Sequence, residues 1–328
     1  SLEKYSHWRC NNWDEEMDAL LSVNKEKLKS EVEILSYQAL EDIAFPCPSC
    51  ANSIFETKYD LDEYHIVKCP NCGLLYNRDF LKQAKPESTF SENYYLDVQS
   101  DGFAHVFDED IEDPSKPLYI KGLEYVEAEN GIGSVLDVGC AFGAFLKVAK
   151  ERGWNVEGVE LSPYSSEHAR NNFKLDVHTG DLFSTQVNQD SYDLITFWDV
   201  LEHVTNVDNQ IKRASELVKK SGYLVLITDN YRSLISFISA SLYYCSFGLF
   251  KYPVKKFFIQ HNSCYFIEED VEKILERHGF EHLHTEGVDH PIDRINLSRL
   301  EKFILWTLYQ IGDLLGLNSQ VLMIAKKT

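Results

Sequence analysis

Residues 134–153, SVLDVGCAFGAFLKVAKERG, join an apolar segment to an amphipathic one through a short glycine turn. SVLDVG is typical of a buried strand, and AFLKVAKERG predicts a helix that ends at Gly153. Gly139 and Gly143 remove side chains where the strand becomes the helix, so a ligand can approach the backbone there. Ala141 occupies the position where a dinucleotide-binding turn commonly has its middle glycine. The turn therefore predicts a ligand site but leaves the ligand open.

Strand and helix patterns alternate from this turn toward the carboxyl terminus. The segments NVEGVEL, DVHTGDL, YDLITFWDV and GYLVLITDN are typical of strands, and the helical patterns PYSSEHARNNF and NQIKRASELVKKSG lie among them. Such alternation predicts an α/β fold with a doubly wound parallel sheet that is covered by helices on both faces. In that architecture ligands bind at the carboxyl ends of the strands.

Acidic residues lie in the turn and after the next two strands. Glu160 ends the second strand, 21 residues after Gly139, where a carboxylate can accept hydrogen bonds from both ribose hydroxyls. Asp181 follows the third strand, where it can reach an amino group on a base. Asp137, inside the turn motif, would repel a pyrophosphate but could hold a cationic or hydroxyl-rich ligand.

This ordered set makes the segment from Ser134 to about Asn230 resemble a class I S-adenosylmethionine-dependent methyltransferase. Asp137, Gly139 and Gly143 match the first motif of that family. The resemblance implies a seven-stranded Rossmann-like sheet and S-adenosylmethionine as the cofactor, with a nicotinamide dinucleotide as the alternative. The contacts that it implies are the loop 139–143, including Ala141, against the methionine part, Glu160 on the ribose, Leu161 and Leu182 around the adenine, and Asp181 at its amino group.

The fourth strand ends in FWDVLEHVTN, which resembles a methyltransferase branch that includes ubiquinone-biosynthesis O-methyltransferases and many sugar enzymes. This resemblance implies that Trp198 borders the cofactor and that Asp199 and His203 lie near the methyl group. It also implies that His261, in IQHNSCYF, faces His203 across the pocket. Transfer to a hydroxyl requires removal of a proton, so a histidine with a near-neutral pKa is suited to act as the base.

Two other interpretations of these residues stay open. Small-RNA 3′-end methyltransferases bind a divalent metal at comparable places, and Asp199, Glu202, His203 and His261 could imitate that set. Alternatively, Glu202 and His203 have a purely structural role. The histidines 178, 278, 282, 284 and 290 lack such a context and are predicted to be surface or core residues.

Two Cys-x-x-Cys pairs separated by 18 residues, Cys47 with Cys50 and Cys69 with Cys72, precede this domain. Each pair can present two thiolates to one ion, and together they complete a tetrahedral zinc site without an open position. A redox dithiol and free thiols are the alternatives. The sequence thus predicts a structural zinc in a small ribbon.

A tyrosine pair that includes Tyr95 resembles an aromatic segment that closes over the cofactor in relatives, with ordinary packing as the alternative.

The patterns divide the chain into four parts. The predicted parts are a helical arm (1–45), a zinc ribbon (46–80), a connector with cofactor-lid helices (81–130), and the methyltransferase domain (131–328) with an apolar lid insert near 231–260.

Two apolar stretches lie within that domain. Ser233–Phe250 carries no charge and is only just long enough to span a membrane, so a helical lid over the substrate is the preferred interpretation. LSRLEKFILWTLYQIGDLLGL, residues 297–317, is amphipathic. Both could bury a hydrophobic substrate, pack in a dimer or touch a membrane surface, and packing is the default.

Charge and composition limit the function. The formal net charge of −20 disfavours binding to nucleic acid. The start of the chain resembles no signal peptide, so a cytoplasmic protein is expected. The sequence predicts O-methylation of a small-molecule, sugar or glycan hydroxyl, with an RNA methyltransferase or a non-catalytic scaffold as alternatives. It leaves the oligomeric state open.

Overall fold

The computed structural model describes residues 45–83, 112–292 and 297–328. Most of the predicted arm 1–45, and Tyr95 with most of the connector, lie outside the described residues. The chain divides into two compact units, Ser1–Pro46 and Cys47–Thr328, and every element named below belongs to the second.

Two β-sheets form the framework of this second unit. Its strands are β1 (Glu56–Asp60), β2 (His65–Lys68), β3 (Leu75–Asn77), β4 (Ser134–Val138), β5 (Asn155–Glu160), β6 (Val177–Thr179), β7 (Tyr192–Trp198), β8 (Val218–Asp229), β9 (Cys264–Tyr265), β10 (Phe280–Val288) and β11 (Gln320–Lys327). The larger sheet has the order β10-β11-β8-β7-β4-β5-β6. Its pairs from β8 to β6 are parallel, whereas β11 is antiparallel to both neighbours. The predicted seven-stranded α/β sheet is confirmed.

Helices pack on the two faces of this sheet. The helices in the described residues are α1 (Arg78–Gln83), α2 (Lys116–Asn130), α3 (Ala144–Glu151), α4 (Pro163–Phe173), α5 (Val207–Leu217), α6 (Leu234–Cys245), α7 (Tyr252–Phe257), α8 (Glu268–Arg277) and α9 (Arg299–Leu315). Of these, α2, α3, α4, α5 and α8 contact the strands of the larger sheet, whereas α1 contacts β2 and α6 contacts α7 and α9. Because helices exclude water from both faces, the central strands β4, β7 and β8 are largely apolar runs. The core beside α2 and α3 contains Tyr119, Phe145, Leu194 and Val225.

One helix is shorter than its sequence pattern predicts. NQIKRASELVKKSG is helical in pattern throughout, but α5 ends at Leu217 and β8 begins at Val218. Val218 is fully buried and pairs with Tyr192 of β7. A β-branched side chain packed on the sheet favours the strand here. Ser221, with a φ of 65°, then bends the chain before the regular part of β8.

The smaller sheet joins the cysteine-rich ribbon to the rest of the unit. Its order is β1-β2-β3-β9, so its last strand comes from the predicted domain 131–328. β3 pairs with β9 through Leu75 opposite Tyr265 and Tyr76 opposite Cys264. The side-chain amide of Asn77 also donates a hydrogen bond of 2.9 Å to the carbonyl of Gln260. The ribbon thus supports the segment 260–265, which carries His261.

The apolar insert near 231–260 folds as α6, an apolar loop and α7. Ser233 caps the start of α6 by accepting a hydrogen bond from the backbone N–H of Ser236. Because α6 ends at Cys245, the uncharged stretch Ser233–Phe250 is not one continuous helix. Within the described ranges, every helix is too short or too polar to cross a membrane. Tyr59 of the ribbon packs against the rings of Tyr243 and Phe258, so insert and ribbon share one core.

Candidate functional site

The turn after β4 has a backbone that only small residues accommodate. Gly139 has a φ of 71° and Gly143 a φ of 83°. A Cβ at Gly139 would stand 2.7 Å from Val200 Cγ2, and one at Gly143 would stand 2.3 Å from Leu175 Cδ1. Ala141 also adopts a left-handed conformation, with a φ of 46°. The alanine therefore departs from the glycine pattern in sequence but keeps the glycine-like backbone.

Glu160 connects this turn to the end of β5. Its carboxylate is buried, and Oε2 accepts a hydrogen bond of 2.8 Å from the backbone N–H of Ala141. Oε1 accepts one of 2.7 Å from the N–H of Ser162. An ionised carboxylate has about four acceptor positions, more than these two backbone hydrogen bonds use. Backbone groups of the protein alone therefore hold Glu160, the residue predicted to bind the ribose, in place.

Asp137 is buried near the end of β4, just before the turn. Its Oδ1 accepts a hydrogen bond of 2.7 Å from Thr196 Oγ1 on the neighbouring strand β7. Burial raises the pKa of Asp137 to about 8, and the charge of Glu160 contributes in the same direction. At neutral pH this carboxyl group is therefore largely protonated, unless a cation binds nearby.

Asp181 and Leu182 follow β6, which pairs with β5 next to Glu160. The backbone N–H of Gly180 donates to the carbonyl of Glu160 at 2.9 Å, so the ends of the two strands are held together. Asp181 Oδ1 accepts hydrogen bonds from the backbone N–H groups of Phe183 and Ser184. Leu182 is buried, and Leu161 is half-buried at the end of β5. Their contacts with an adenine stay predictions.

Trp198 ends β7 and packs into the core. Its ring lies 4.9 Å from that of Tyr119 on α2 and 5.1 Å from that of Phe145 on α3. Gly122 makes room for the indole, since a Cβ there would be 3.1 Å from it. The indole N–H is buried and has no hydrogen-bond partner among the described residues. That Trp198 also borders the cofactor stays a prediction.

Polar residues converge where β7 and β8 end. Asp199 accepts a hydrogen bond from the side-chain amide of Gln320 on β11. Glu202 is buried and accepts one from Thr228 Oγ1 at 3.0 Å. Burial raises the pKa of Glu202, and the nearby charges of Asp229 and Asp199 raise it further. Burial and the neighbouring carboxylates thus both disfavour the charged form of Glu202.

The two predicted catalytic histidines meet beside this cluster. The rings of His203 and His261 are stacked with their centroids 5.6 Å apart. Burial lowers the pKa of His203 to about 4, and the proximity of His261 lowers it further. Burial also lowers the pKa of His261. Both rings are therefore neutral at physiological pH.

A third histidine reaches the site from β10, and sequence reasoning missed it. His290 Nε2 lies 2.8 Å from Asp229 Oδ1, and Asn262 Nδ2 donates to Asp229 Oδ2 at 3.2 Å. Burial opposes ionisation of Asp229, but the hydrogen bond and charge of His290 and the hydrogen bond from Asn262 outweigh it and lower its pKa. The one available signal was the position of His290 just after a strand at the same sheet edge.

The geometry bears on the divalent-metal interpretation. Within the described parts of the chain, two groups of three or more metal-binding side chains bring their ligand atoms within 4.8 Å of one another. One is the cysteine cluster, and the other is Glu268, Glu272 and His282. Asp199, Glu202, His203 and His261 do not form such a group, so their arrangement does not support a metal there.

The four cysteines converge as a metal site requires. Cys47 Sγ lies 3.5 Å from Cys72 Sγ, and Cys50 Sγ lies 3.6 Å from Cys69 Sγ. A tetrahedral zinc with bonds of about 2.3 Å would hold its sulfurs about 3.8 Å apart. The side-chain amides of Asn71 and Asn52 point their N–H groups at Cys50 and Cys69, and such donors stabilise thiolates. The residues present therefore fit a zinc ion.

Two curated proteins are similar in sequence to part of this chain. Among curated proteins, the ubiquinone biosynthesis O-methyltransferase of Coxiella burnetii (strain RSA 493 / Nine Mile phase I) is 29% identical over 125 residues, which is 35% of this chain and 53% of that protein. The ubiquinone biosynthesis O-methyltransferase of Xanthomonas campestris pv. campestris (strain B100) is 30% identical over 158 residues, which is 44% of this chain and 65% of that protein. The chain thus spans between about half and two thirds of the length of these relatives.

A solved structure and a family model complete the comparison. A SAM-dependent methyltransferase from Archaeoglobus fulgidus aligns at 19% identity with a TM-score of 0.46, covering 69% of this chain and 100% of that chain. A family model described as a methyltransferase domain matches residues 79–285, which is more than half of the chain. By that match, the chain belongs to the methyltransferase-domain family.

Proposed function

We propose that this chain is an S-adenosylmethionine-dependent methyltransferase that acts on a hydroxyl of a small-molecule, sugar or glycan acceptor. The observation that carries the cofactor assignment is Glu160, which holds the left-handed turn through Ala141 and lies at the end of β5, where an acidic residue that binds a ribose is expected. The acidic net charge of −20 supports an acceptor other than nucleic acid. The likeness to ubiquinone biosynthesis O-methyltransferases supports oxygen as the methylated atom.

The polar residues at the ends of β7 and β8, together with His203 and His261, supply the base that accepts a proton in this reaction. S-adenosylmethionine, when bound, provides an electrophilic methyl group on a positively charged sulfur. As the acceptor oxygen attacks, its proton must pass to a base. His203 and His261 are both neutral and can accept it. Asp199, whose charge acts on the neighbouring Glu202, is proposed to orient the acceptor. The charge of Asp229 acts on both rings and stabilises the imidazolium that forms.

We further infer that Cys47, Cys50, Cys69 and Cys72 hold one structural zinc ion. The support is the convergence of four sulfurs at spacings near those of a tetrahedral site. All four positions would be filled by protein ligands, so the ion would take no part in the methyl transfer.

The cofactor assignment predicts a pH-dependent affinity that depends on Asp137. Because burial raises its pKa to about 8, the sulfonium cation must displace a proton when it binds near neutral pH. The affinity for S-adenosylmethionine is expected to rise by up to about tenfold per pH unit as the pH approaches 8, and then to level off. Calorimetry in buffers of different ionisation enthalpy should show the release of a proton.

S-adenosylhomocysteine, which lacks the sulfonium charge, is the matched control ligand and should show a weaker pH dependence. Asp137→Asn should remove the dependence for both ligands. If neither ligand binds at millimolar concentration, the cofactor assignment is wrong. An affinity for S-adenosylmethionine that stays constant from pH 6 to pH 9 would contradict the role of Asp137.

The base assignment predicts an unusual acid limb of the pH–rate profile. Since the pKa of His203 is lowered to about 4, its basic form persists as the pH falls below the ordinary histidine value. At saturating S-adenosylmethionine, kcat is therefore expected to decline only as the pH approaches about 4, rather than near 6.5. Of the variants His203→Asn and His261→Asn, the one that removes the base is expected to lower kcat by about 10²-fold or more.

His284→Asn is a suitable control, since His284 lies on β10 and stacks on Tyr125 away from the cluster. Each variant should bind S-adenosylmethionine with unchanged affinity, which separates proton transfer from cofactor binding. Unchanged kcat in both His203→Asn and His261→Asn would rule these histidines out as the base.

A further inference from the structure

The exposed apolar side chains of this protein are concentrated in one region. We define the helical cap as residues 231–260, with α6 and α7, together with residues 298–317, with α9. Of the 19 large hydrophobic side chains that are exposed in the described residues, 15 lie in this cap. They are Phe237, Leu242, Tyr244, Phe247, Leu249, Phe250, Tyr252, Ile259, Leu300, Phe303, Ile304, Trp306, Ile311, Leu314 and Leu315. Such concentration marks an interaction surface.

Helix α9 turns an apolar face outward. Its buried side is formed by Tyr309 and Gly312. A Cβ at Gly312 would stand 2.9 Å from the carbonyl oxygen of Leu317 and 3.7 Å from Leu234 Cβ on α6, so the two helices approach closely there. The exposed apolar residues recur with helical spacing on the other side, from Leu300 to Leu315. This pattern is the reverse of that in an ordinary surface helix, whose apolar face points to the core.

The loop between α6 and α7 presents a second apolar element. In the sequence Phe-Gly-Leu-Phe, Phe247 is 94% exposed and Leu249 is 87% exposed. Leu314, near the end of α9, is 85% exposed. Side chains that protrude this far can insert among lipid headgroups and acyl chains, which surround them on all sides. A flat protein surface would cover only their tips.

The cap also differs in charge from the rest of the chain. Residues 231–260 contain the four basic residues Arg232, Lys251, Lys255 and Lys256 and no acidic residue, although the whole chain has a net charge of −20. Lys251 and Lys255 are paired with Asp62 of the ribbon. Lys256 stands 5.7 Å from the ring of the exposed Tyr252. Arg232 is paired with Glu269. Residues 298–317 add Arg299 and Lys302 and the acidic Glu301 and Asp313, so the whole cap has six basic and two acidic side chains in an otherwise acidic molecule.

We propose that the helical cap docks onto the surface of an anionic lipid bilayer. Apolar side chains, aromatic rings and lysines together match the boundary between acyl chains and negatively charged headgroups. Association of two copies through the same cap would instead bring the two basic segments together, which is unfavourable. The cap begins directly after β8, so its first residues follow Asp229 at the end of that strand.

The test is co-sedimentation of the whole chain with vesicles. Binding is expected to vesicles of phosphatidylcholine with phosphatidylglycerol, to be weaker with phosphatidylcholine alone, and to decrease at high salt. The double variants Phe247→Ser/Leu249→Ser and Phe303→Ser/Leu314→Ser should each bind at least about tenfold more weakly. The control Ile132→Ser/Leu283→Ser removes exposed apolar side chains outside the cap and should bind like the parent chain.

Three results would overturn the proposal. The first is that the parent chain does not bind vesicles, and the second is that cap and control variants bind equally well. The third is that the parent chain does not bind vesicles but forms a dimer in sedimentation velocity, and that the cap variants are monomers. The last result would assign the cap to a second copy. S-adenosylmethionine binding by the cap variants should be unchanged, and their thermal unfolding should be cooperative. Failure of the membrane proposal is therefore distinguishable from failure of the proposed function.

Discussion

Replacement of Cys69 by serine is expected to lower the free energy of unfolding by about 5 kcal/mol and to suppress methyl transfer. Cys69 is fully buried, and its loss would leave the proposed zinc with three sulfur ligands. The ribbon is small, with a core of a few residues around Tyr59 and Ile66, so it has little other stabilisation. Thermal unfolding, with zinc content measured on the same samples, checks the expectation.

The loss of activity follows from the way the ribbon supports the site. β3 pairs with β9, and Ser263 just before β9 donates its backbone N–H to the carbonyl of Glu202 at 2.6 Å. A disordered ribbon would therefore release the segment that carries His261. Turnover should fall more than the affinity for S-adenosylmethionine, because the turn 139–143 lies on the other side of β7 and keeps its own hydrogen bonds.

Cys245→Ser is the matched control, since Cys245 is an exposed cysteine outside the cluster. It should change neither zinc content nor stability. A Cys69→Ser protein that is zinc-free, unfolds at the parent temperature and retains turnover would show that the four thiols have no structural metal.

Replacement of Glu160 by alanine is expected to weaken S-adenosylmethionine binding by about 10²- to 10³-fold. The change removes the acceptor for two backbone N–H groups, those of Ala141 and Ser162, as well as the proposed ribose contact. Glu160→Gln retains one acceptor but turns an NH₂ group toward the second N–H donor, so it should also bind poorly. Calorimetric titration with S-adenosylmethionine measures both effects.

Glu157→Gln is the control on the same strand. Glu157 bonds instead to His178 Nε2 at 2.7 Å and to Tyr192 Oη at 2.6 Å, away from the turn. It should leave cofactor affinity within about twofold of the parent value. Parent-like affinity in Glu160→Ala would refute the proposed ribose site, and retained cellular function without cofactor binding would favour a scaffold.

Local sequence patterns determined the fold and the cofactor turn. A buried strand, a glycine turn and an amphipathic helix are each encoded by neighbouring residues, so SVLDVGCAFG and the strands after it predict the sheet directly. The Cys-x-x-Cys pairs are equally local, because two thiols three residues apart already share a turn. Even Ala141 was compatible with this pattern, although its left-handed backbone became apparent only in three dimensions.

Tertiary structure decided the rest, because the contacts involved join residues far apart in the chain. No pattern within β3 indicates that Leu75 pairs with Tyr265, and no pattern near His290 indicates that it bonds to Asp229. Trp198 is an apolar residue at a strand end, and only the neighbouring helices place its ring in the core. The periodicity of α9 likewise specifies an apolar face but not what covers it. The sequence therefore determined which elements form, and the packing of distant elements determined which of their faces became a site, a core or an exposed surface.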